Sequence, residues 1–241
     1  MSHSSHNSLH HPSAESISTA TEPPFAHSKL IIFDWDGTLF DSTAMISQSL
    51  CRAASELGLG EYTKQQAQQL IGLGFAEAAN GLVGRTLSDS EMQAFMARYR
   101  QYYFTAELDV SLYDGVWSLL ERLRAQNRYM AVATGKSRIG LNHVFETRPE
   151  LRKLFIATRT ADQTVSKPHP LMLHEILSEL DVPVESAVMI GDTSYDIDMA
   201  HNAHMSSIAV TYGAHDYRHL LASKPSAVAH SVEELGRLLL G

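Results

Sequence analysis

Asp34 and Asp36 directly follow an apolar run in IIFDWDGTLFDS, and Asp41 comes five residues after Asp36. Carboxylates at the end of an apolar strand repel one another and are costly to desolvate. A cation, a substrate or merely the water around a polar turn must offset that cost. Further polar groups end other apolar runs: Thr134 closes YMAVAT, Asp192 follows AVMIG, and Lys167 stands in a loop just before a helix. An oxygen-rich cluster with few nitrogens or sulfurs suits a hard cation, Mg²⁺ above all, which commonly bridges carboxylates to phosphate. Lys167 would add a second positive charge. Thr134 and the backbone N–H groups near it would donate to anionic oxygens. Together these groups would form a phosphoryl site, in which electrostatic clamping does most of the work.

That reading requires elements that bring the groups to one edge. KLIIFD reads as a buried strand, a short continuous run of β-branched and aromatic residues. No strand is evident from 43 to 108. Ile46, Leu50, Ala54 and Leu57 have helical spacing, as do Met92, Phe95, Met96, Tyr99 and Tyr103, and two short helices are expected to join at Gly72 and Gly74. Alternation then resumes. Val116, Leu119, Leu120 and Leu123 mark a helix, RYMAVAT a strand, residues 137–147 a helix and LFIAT a short strand. Leu173, Ile176, Leu177 and Leu180 mark a further helix after Pro168 and Pro170. SAVMIGD is a strand, YDIDMAHNA opens a helix, SSIAVT and SAVAH are strands, and SVEELGRLLL closes the chain as a helix with a Ser cap. Strands alternating with helices imply right-handed crossovers and a parallel sheet covered on both faces. Ligands bind such sheets at the carboxyl ends of the strands, where Asp34, Thr134 and Asp192 fall.

The composition fits an enzyme-sized unit. The chain has 241 residues, 44% of them apolar, and a formal net charge of −8. That charge, with no block of Lys or Arg, argues against nucleic acid or an anionic membrane as the main partner. Cys51 is the single cysteine, so no intrachain disulfide forms, and it reads as a small apolar residue on a helix face. No apolar run approaches the roughly 18 residues of a membrane span. With no signal-peptide pattern, a cytoplasmic protein is expected. Residues 1–28, rich in Ser, His and Pro, read as a disordered tail. His3, His6, His10 and His11 there are expected to be solvated rather than to hold a metal.

At its polar motifs the chain resembles the haloacid dehalogenase-like hydrolases, specifically the capped phosphatases of the phosphoglycolate phosphatase-like branch. DWDGT followed by LFDS, VATGKS, SKPHP and GDTSYD match that family's four motifs in order, and VTYGAH adds to the likeness. LYDGV departs slightly, with Asp114 where many relatives have Pro. The resemblance covers about residues 29–240. It implies an α/β fold, a Rossmann-like doubly wound parallel sheet (29–42 and 109–241) with an inserted all-helical cap (43–108). It implies that Asp34 is a nucleophile forming an aspartyl-phosphate, and that Asp36 is the acid and then the base. Mg²⁺ would be held by Asp34, the Asp36 carbonyl and Asp192, with Asp196 binding or orienting. Thr134 and Gly135 would hold phosphoryl oxygens, and Lys167 would neutralise charge. Gly72 and Gly74, in LIGLG, would let a cap loop approach the substrate. Arg85 on the cap could meet a substrate carboxylate or stay solvated.

The implied activity is Mg²⁺-dependent hydrolysis of a small phosphomonoester, with 2-phosphoglycolate leading, by a monomer or homodimer. Within the same superfamily the alternatives are a phosphosugar mutase, a nucleotide phosphatase and a pyrophosphatase. A regulatory or binding module that kept the fold is the alternative outside enzymes. DWDG is not an EF-hand, because Thr38 and Leu39 occupy positions five and six of the loop. His201 with His204, and His215 with His219, have helix-compatible metal spacing, but surface histidines are the expectation. Asp41 and Ser42 are expected to cap the first cap helix.

Overall fold

The computed structural model describes residues 24–106 and 110–240. Six strands form one fully parallel sheet in the order β3-β2-β1-β4-β5-β6. They are β1 (Leu30–Phe33), β2 (Tyr129–Thr134), β3 (Ala157–Thr160), β4 (Ala187–Gly191), β5 (Ser206–Val210) and β6 (Ala227–Ala229). Helices α1 (Thr43–Glu56), α2 (Lys64–Gln68), α3 (Phe75–Val83) and α4 (Asp89–Ala106) lie between β1 and the rest. Then come α5 (Val116–Ala125), α6 (Arg138–Thr147), α7 (Pro149–Arg152), α8 (Leu171–Leu180), α9 (Ser194–Asn202), α10 (Tyr217–Ala222) and α11 (Val232–Leu240).

Strand side chains alternate between the two faces of a sheet, and here both faces are covered. Ile31, Phe33, Val132 and Ile190 point into a core shared with α5, α6 and α11. Leu30, Ile32, Ala131 and Met189 point into another, shared with α8 and α9. This is why the strands read as continuous apolar runs. β1 is central, with Phe33 opposite Val132 on one side and Ile190 on the other. The connections lead away from β1 in both directions, so the chain reverses its strand order there. Such a switch point leaves a crevice at the strand ends. Asp34 follows β1, Thr134 ends β2 and Asp192 follows β4, all at that edge.

Helices α1–α4 pack on one another around Ile46, Leu50, Ala53, Leu82 and Phe95, with Cys51 on the margin. No strand interrupts them among the described residues.

Two expectations need correction. The short strand expected at LFIAT lies at Ala157–Thr160 instead. Leu154 and Phe155 are buried, but from the turn after α7, where Leu154 N–H bonds the Leu151 carbonyl at 3.0 Å. The edge strand is polar because Arg159 reaches Glu175 and Glu179 of α8, at 2.6 and 2.8 Å. Second, residues 24–28 are no part of a disordered tail. Phe25 is buried in the core, its N–H bonds the Leu238 carbonyl at 3.1 Å, and Arg128 gathers the Phe25, Ala26 and Ser28 carbonyls. One aromatic anchor and one guanidinium fork suffice to order a turn of low apolar content. The expected tail up to residue 23, with its four histidines, lies outside the described residues.

Candidate active site

Asp34 is 1% exposed, at the floor of a cavity between the strand ends and helices α1–α4. Lys167 Nζ lies 2.7 Å from Asp34 Oδ1 and 2.6 Å from Asp196 Oδ1. The first contact is an ion pair rather than a well-directed hydrogen bond, and neither Asp34 oxygen has a hydrogen-bond partner within the protein. Asp196 is fully engaged. Its Oδ2 accepts from the Thr193 N–H at 3.1 Å and from the Thr193 hydroxyl at 2.7 Å, which also caps α9. Asp192 accepts from the Thr38 hydroxyl at 2.8 Å and the Ala214 N–H at 2.7 Å. One oxygen from each of these three carboxylates falls within 4.8 Å of the others, and this is the single group of potential metal ligands among the described residues.

Three buried carboxylates against one lysine leave an excess of negative charge. Burial pushes Asp34 well above the usual carboxylate range; Lys167 pulls it back, while Asp196 and Asp192 push it further up. Asp192 is pushed up to about 7, by burial first and then by Asp196. Burial alone would lower Lys167, but Asp196 and Asp34 outweigh it and hold the ammonium charged. An orphaned anionic oxygen in an all-oxygen donor set fits a hard divalent cation. Asp34 and Asp192 keep lone pairs for it. Asp196 is the most engaged of the three, with two bonds from Thr193 at Oδ2 and one from Lys167 at Oδ1, which keeps a lone pair.

Asp36 points elsewhere. Its Oδ1 accepts from the Ser42 hydroxyl at 2.8 Å, and Lys136 Nζ is 3.6 Å away. Ser42, expected to cap α1, occupies the N-cap position, but its side chain makes no cap bond. Its buried hydroxyl fixes Asp36. Ser42→Ala is expected to lower kcat about tenfold with KM little changed, and Ser42→Thr to restore most of it. Steady-state kinetics of the two variants checks this.

Thr134 is buried, and its Oγ1 accepts the Lys136 N–H at 3.1 Å, so its own proton can point into the cavity. Gly37 has φ +89°, and a Cβ there would sit 2.1 Å from Asp192 Oδ2. Only glycine lets the turn after β1 pass this close to Asp192. Gly72 and Gly135 meet: a Cβ on Gly135 would fall 2.5 Å from the Gly72 and Leu73 carbonyl oxygens. Gly74 N–H bonds the Ser166 hydroxyl at 2.8 Å, beside Lys167. The LIGLG loop thus lies against Gly135 and Ser166.

Sequence reasoning missed four groups. Lys136 lies next to Thr134 in the same motif, bonds the Tyr103 hydroxyl and approaches Asp36. Thr38 is the Thr of DWDGT and holds Asp192. Arg100 lines the cavity, beside Tyr99 on the inward face of α4. Arg85 does not line it; it pairs with Glu91 at 2.6 Å on the surface. His215, expected on the surface, is buried: its Nδ1 accepts from the Ser194 N–H at 3.0 Å and its Nε2 faces the Gln69 carbonyl at 3.1 Å. The VTYGAH stretch could have signalled this.

Residues 31–210 match the family model of the haloacid dehalogenase-like hydrolases. The chain belongs to this family. It is 31% identical over 223 residues to a phosphoglycolate phosphatase of Aliivibrio fischeri, covering 88% of this chain and 96% of that one. It is 29% identical over 210 residues to the probable phosphatase IndB of Dickeya dadantii, covering 86% and 91%. Among solved structures, a predicted phosphoglycolate phosphatase from Haemophilus somnus superposes with a TM-score of 0.75 at 25% identity, covering 87% of this chain and 96% of that one. By fold and family the chain is a phosphomonoester hydrolase of the phosphoglycolate phosphatase-like kind.

Proposed function

We propose that this hydrolase removes phosphate from a small phosphomonoester in two displacements at Asp34, with Mg²⁺ bound. The observation that carries the reading is the buried Asp34 carboxylate, unpartnered at Oδ2, held 2.7 Å from a buried lysine at the foot of a cavity. In the first displacement an Asp34 oxygen bonds to phosphorus as the ester P–O bond breaks, and Asp36 gives the leaving alkoxide its proton. In the second, Asp36 takes a proton from water, whose oxygen bonds to phosphorus as the Asp34–phosphorus bond breaks. Lys167 offsets charge on Asp34 and on the phosphoryl oxygens, and Thr134 and Gly135 donate to those oxygens. Asp34, the Asp36 carbonyl and Asp192 would hold the ion, with Asp196 setting Lys167. When bound, the ion supplies charge neutralisation for the phosphoryl group.

Residues 29–42 and 109–241 act in this reading as the catalytic core and 43–108 as a cap whose Gly72–Gly74 loop excludes water. The separate apolar cluster of the helices supports that division. The first compound to test is 2-phosphoglycolate, from the names of the 31% identical relatives.

Asp36→Ala tests the acid. Hydrolysis of an alkyl phosphate is expected to fall about 10²–10⁴-fold. The burst of nitrophenolate from p-nitrophenyl phosphate, whose leaving group needs no proton, is expected to persist. If the burst is lost along with alkyl turnover, the acid role fails.

The charge excess also predicts how the ion couples to stability. A carboxylate raised to about 7 on folding, as Asp192 is, contributes stability that is fully present below its unfolded pKa and is lost as pH rises through 7. The metal-free protein is therefore expected to melt lower at pH 8 than at pH 5.5. Adding Mg²⁺ at ten times its Kd is expected to raise Tm by about 4 °C at pH 8 and by less at pH 5.5, where protons compete. Thermal melts with and without chelator check the sign.

A further inference from the structure

The cavity above Asp34 is built for more than a two-carbon acid. It measures about 330 Å³ and reaches from Asp34 up to α4. That volume lies within the range of pockets that enclose ring-bearing ligands. Phe75, Met96 and Tyr99 line it while only partly buried in protein. The Phe75 and Tyr99 rings are 5.2 Å apart and tilted 44°, and Tyr99 and Tyr103 are 5.5 Å apart at 35°, which makes a continuous aromatic wall. Apolar faces left open toward an internal cavity gain from covering, and aromatic faces gain most from a ring.

The charges argue the same way. The lining holds four carboxylates, Asp34, Asp36, Glu77 and Asp162, against two cations, Arg100 and Lys136, with Lys167 behind the lining 2.7 Å from Asp34. Lys136 is engaged with the Tyr103 hydroxyl and lies 3.6 Å from Asp36. A substrate carboxylate two bonds from the ester oxygen would add a further negative charge beside Asp34 and Asp36. An uncharged apolar group there adds none.

We infer that the cap selects a phosphomonoester whose alcohol carries an apolar ring, phenyl-sized or larger, in preference to one carrying a carboxylate. The inference rests on the phosphomonoesterase reading above. Phosphate release by the wild-type protein with Mg²⁺ is measured on 2-phenylethyl phosphate and on 2-phosphoglycolate, both alkyl esters. Binding of the same compounds to Asp34→Asn with Mg²⁺ is measured by calorimetry, which needs no turnover. The ring ester is expected to have about tenfold higher kcat/KM and about tenfold tighter binding. Tyr99→Leu is expected to lower its kcat/KM at least about fivefold and to move the ratio toward 2-phosphoglycolate.

If 2-phosphoglycolate is bound and cleaved equally well or better, the inference fails while the phosphatase reading stands. If neither ester is cleaved but the ring ester binds tighter, the phosphatase reading fails and the selectivity of the cavity stands. Binding of neither ester, or a ratio unmoved by Tyr99→Leu, overturns the inference.

Discussion

Asp34→Asn is expected to lower kcat by about 10⁴-fold or more while leaving the metal-free protein at least as stable as the wild type. The loss follows from the role proposed for the oxygen. An amide is no nucleophile toward phosphorus, and removing a group that forms the covalent intermediate costs as much as losing the machinery it works with. The stability result is the sharper half. Asp34 is 1% exposed, its oxygens lack hydrogen-bond partners, and Asp192 and Asp196 crowd it. Burial and those two neighbours hold its pKa up despite Lys167. A carboxyl raised on folding is a group whose ionised form weakens the native state as pH rises. An isosteric neutral side chain removes that penalty above neutral pH. The variant is thus expected to melt at or above the wild-type temperature at pH 8 without metal, and to gain less from added Mg²⁺. Melting curves and single-turnover kinetics report the two halves separately. A variant that keeps turnover removes Asp34 as nucleophile.

Lys167→Met is expected to destabilise the fold by about 3–5 kcal/mol at pH 8, besides abolishing most activity. Lys167 has no exposed side-chain surface and stands between Asp34 and Asp196 at 2.7 and 2.6 Å. Methionine nearly conserves the volume, so the change is chiefly one of charge. Removing one partner from a buried ion network leaves the others uncompensated, and that costs more than the network was worth. Here two carboxylates are stranded, with a third, Asp192, nearby. At about 2–4 °C per kcal/mol, the melting point should fall by about 6–20 °C. The deficit should shrink toward pH 5, because stranded carboxylates can take up protons. A uniform deficit across that range would point to packing as the cause. The pairing of a fold penalty at Lys167 with none at Asp34 distinguishes the counter-charge from the charges it serves.

The sequence alone determined where most polar groups of the candidate site fall on the sheet. Asp34, Thr134 and Asp192 each end an apolar run, and a parallel sheet brings equivalent strand ends to one edge, so their convergence followed from periodicity and topology. Lys167, Asp196 and Gly135 were legible as motif residues, and Gly72 and Gly74 as points of close approach. The helical character of residues 43–106 was equally plain, because helical spacing is a local property. Boundaries set by a single anchor were not. The turn at 24–28 is ordered by Phe25 and by Arg128, about a hundred residues away. β3 is shifted to Ala157–Thr160 because an edge strand carrying Arg159 needs no apolar run.

Only the tertiary structure decided which polar groups serve which acid. Ser42 turns from its helix to Asp36, Thr38 goes to Asp192, and Asp196 closes on Lys167 and Thr193. Each choice depends on a side chain's direction within ångströms, which spacing along a chain does not encode. The same holds for the cap, where Arg85 faces Glu91 and Arg100, Phe75, Met96 and Tyr99 face the cavity. Chemistry sits at strand ends whose positions are repeated by every parallel sheet, so sequence reveals it. The shape of the cavity depends on how four helices dock over that edge, and that docking is a property of the folded whole.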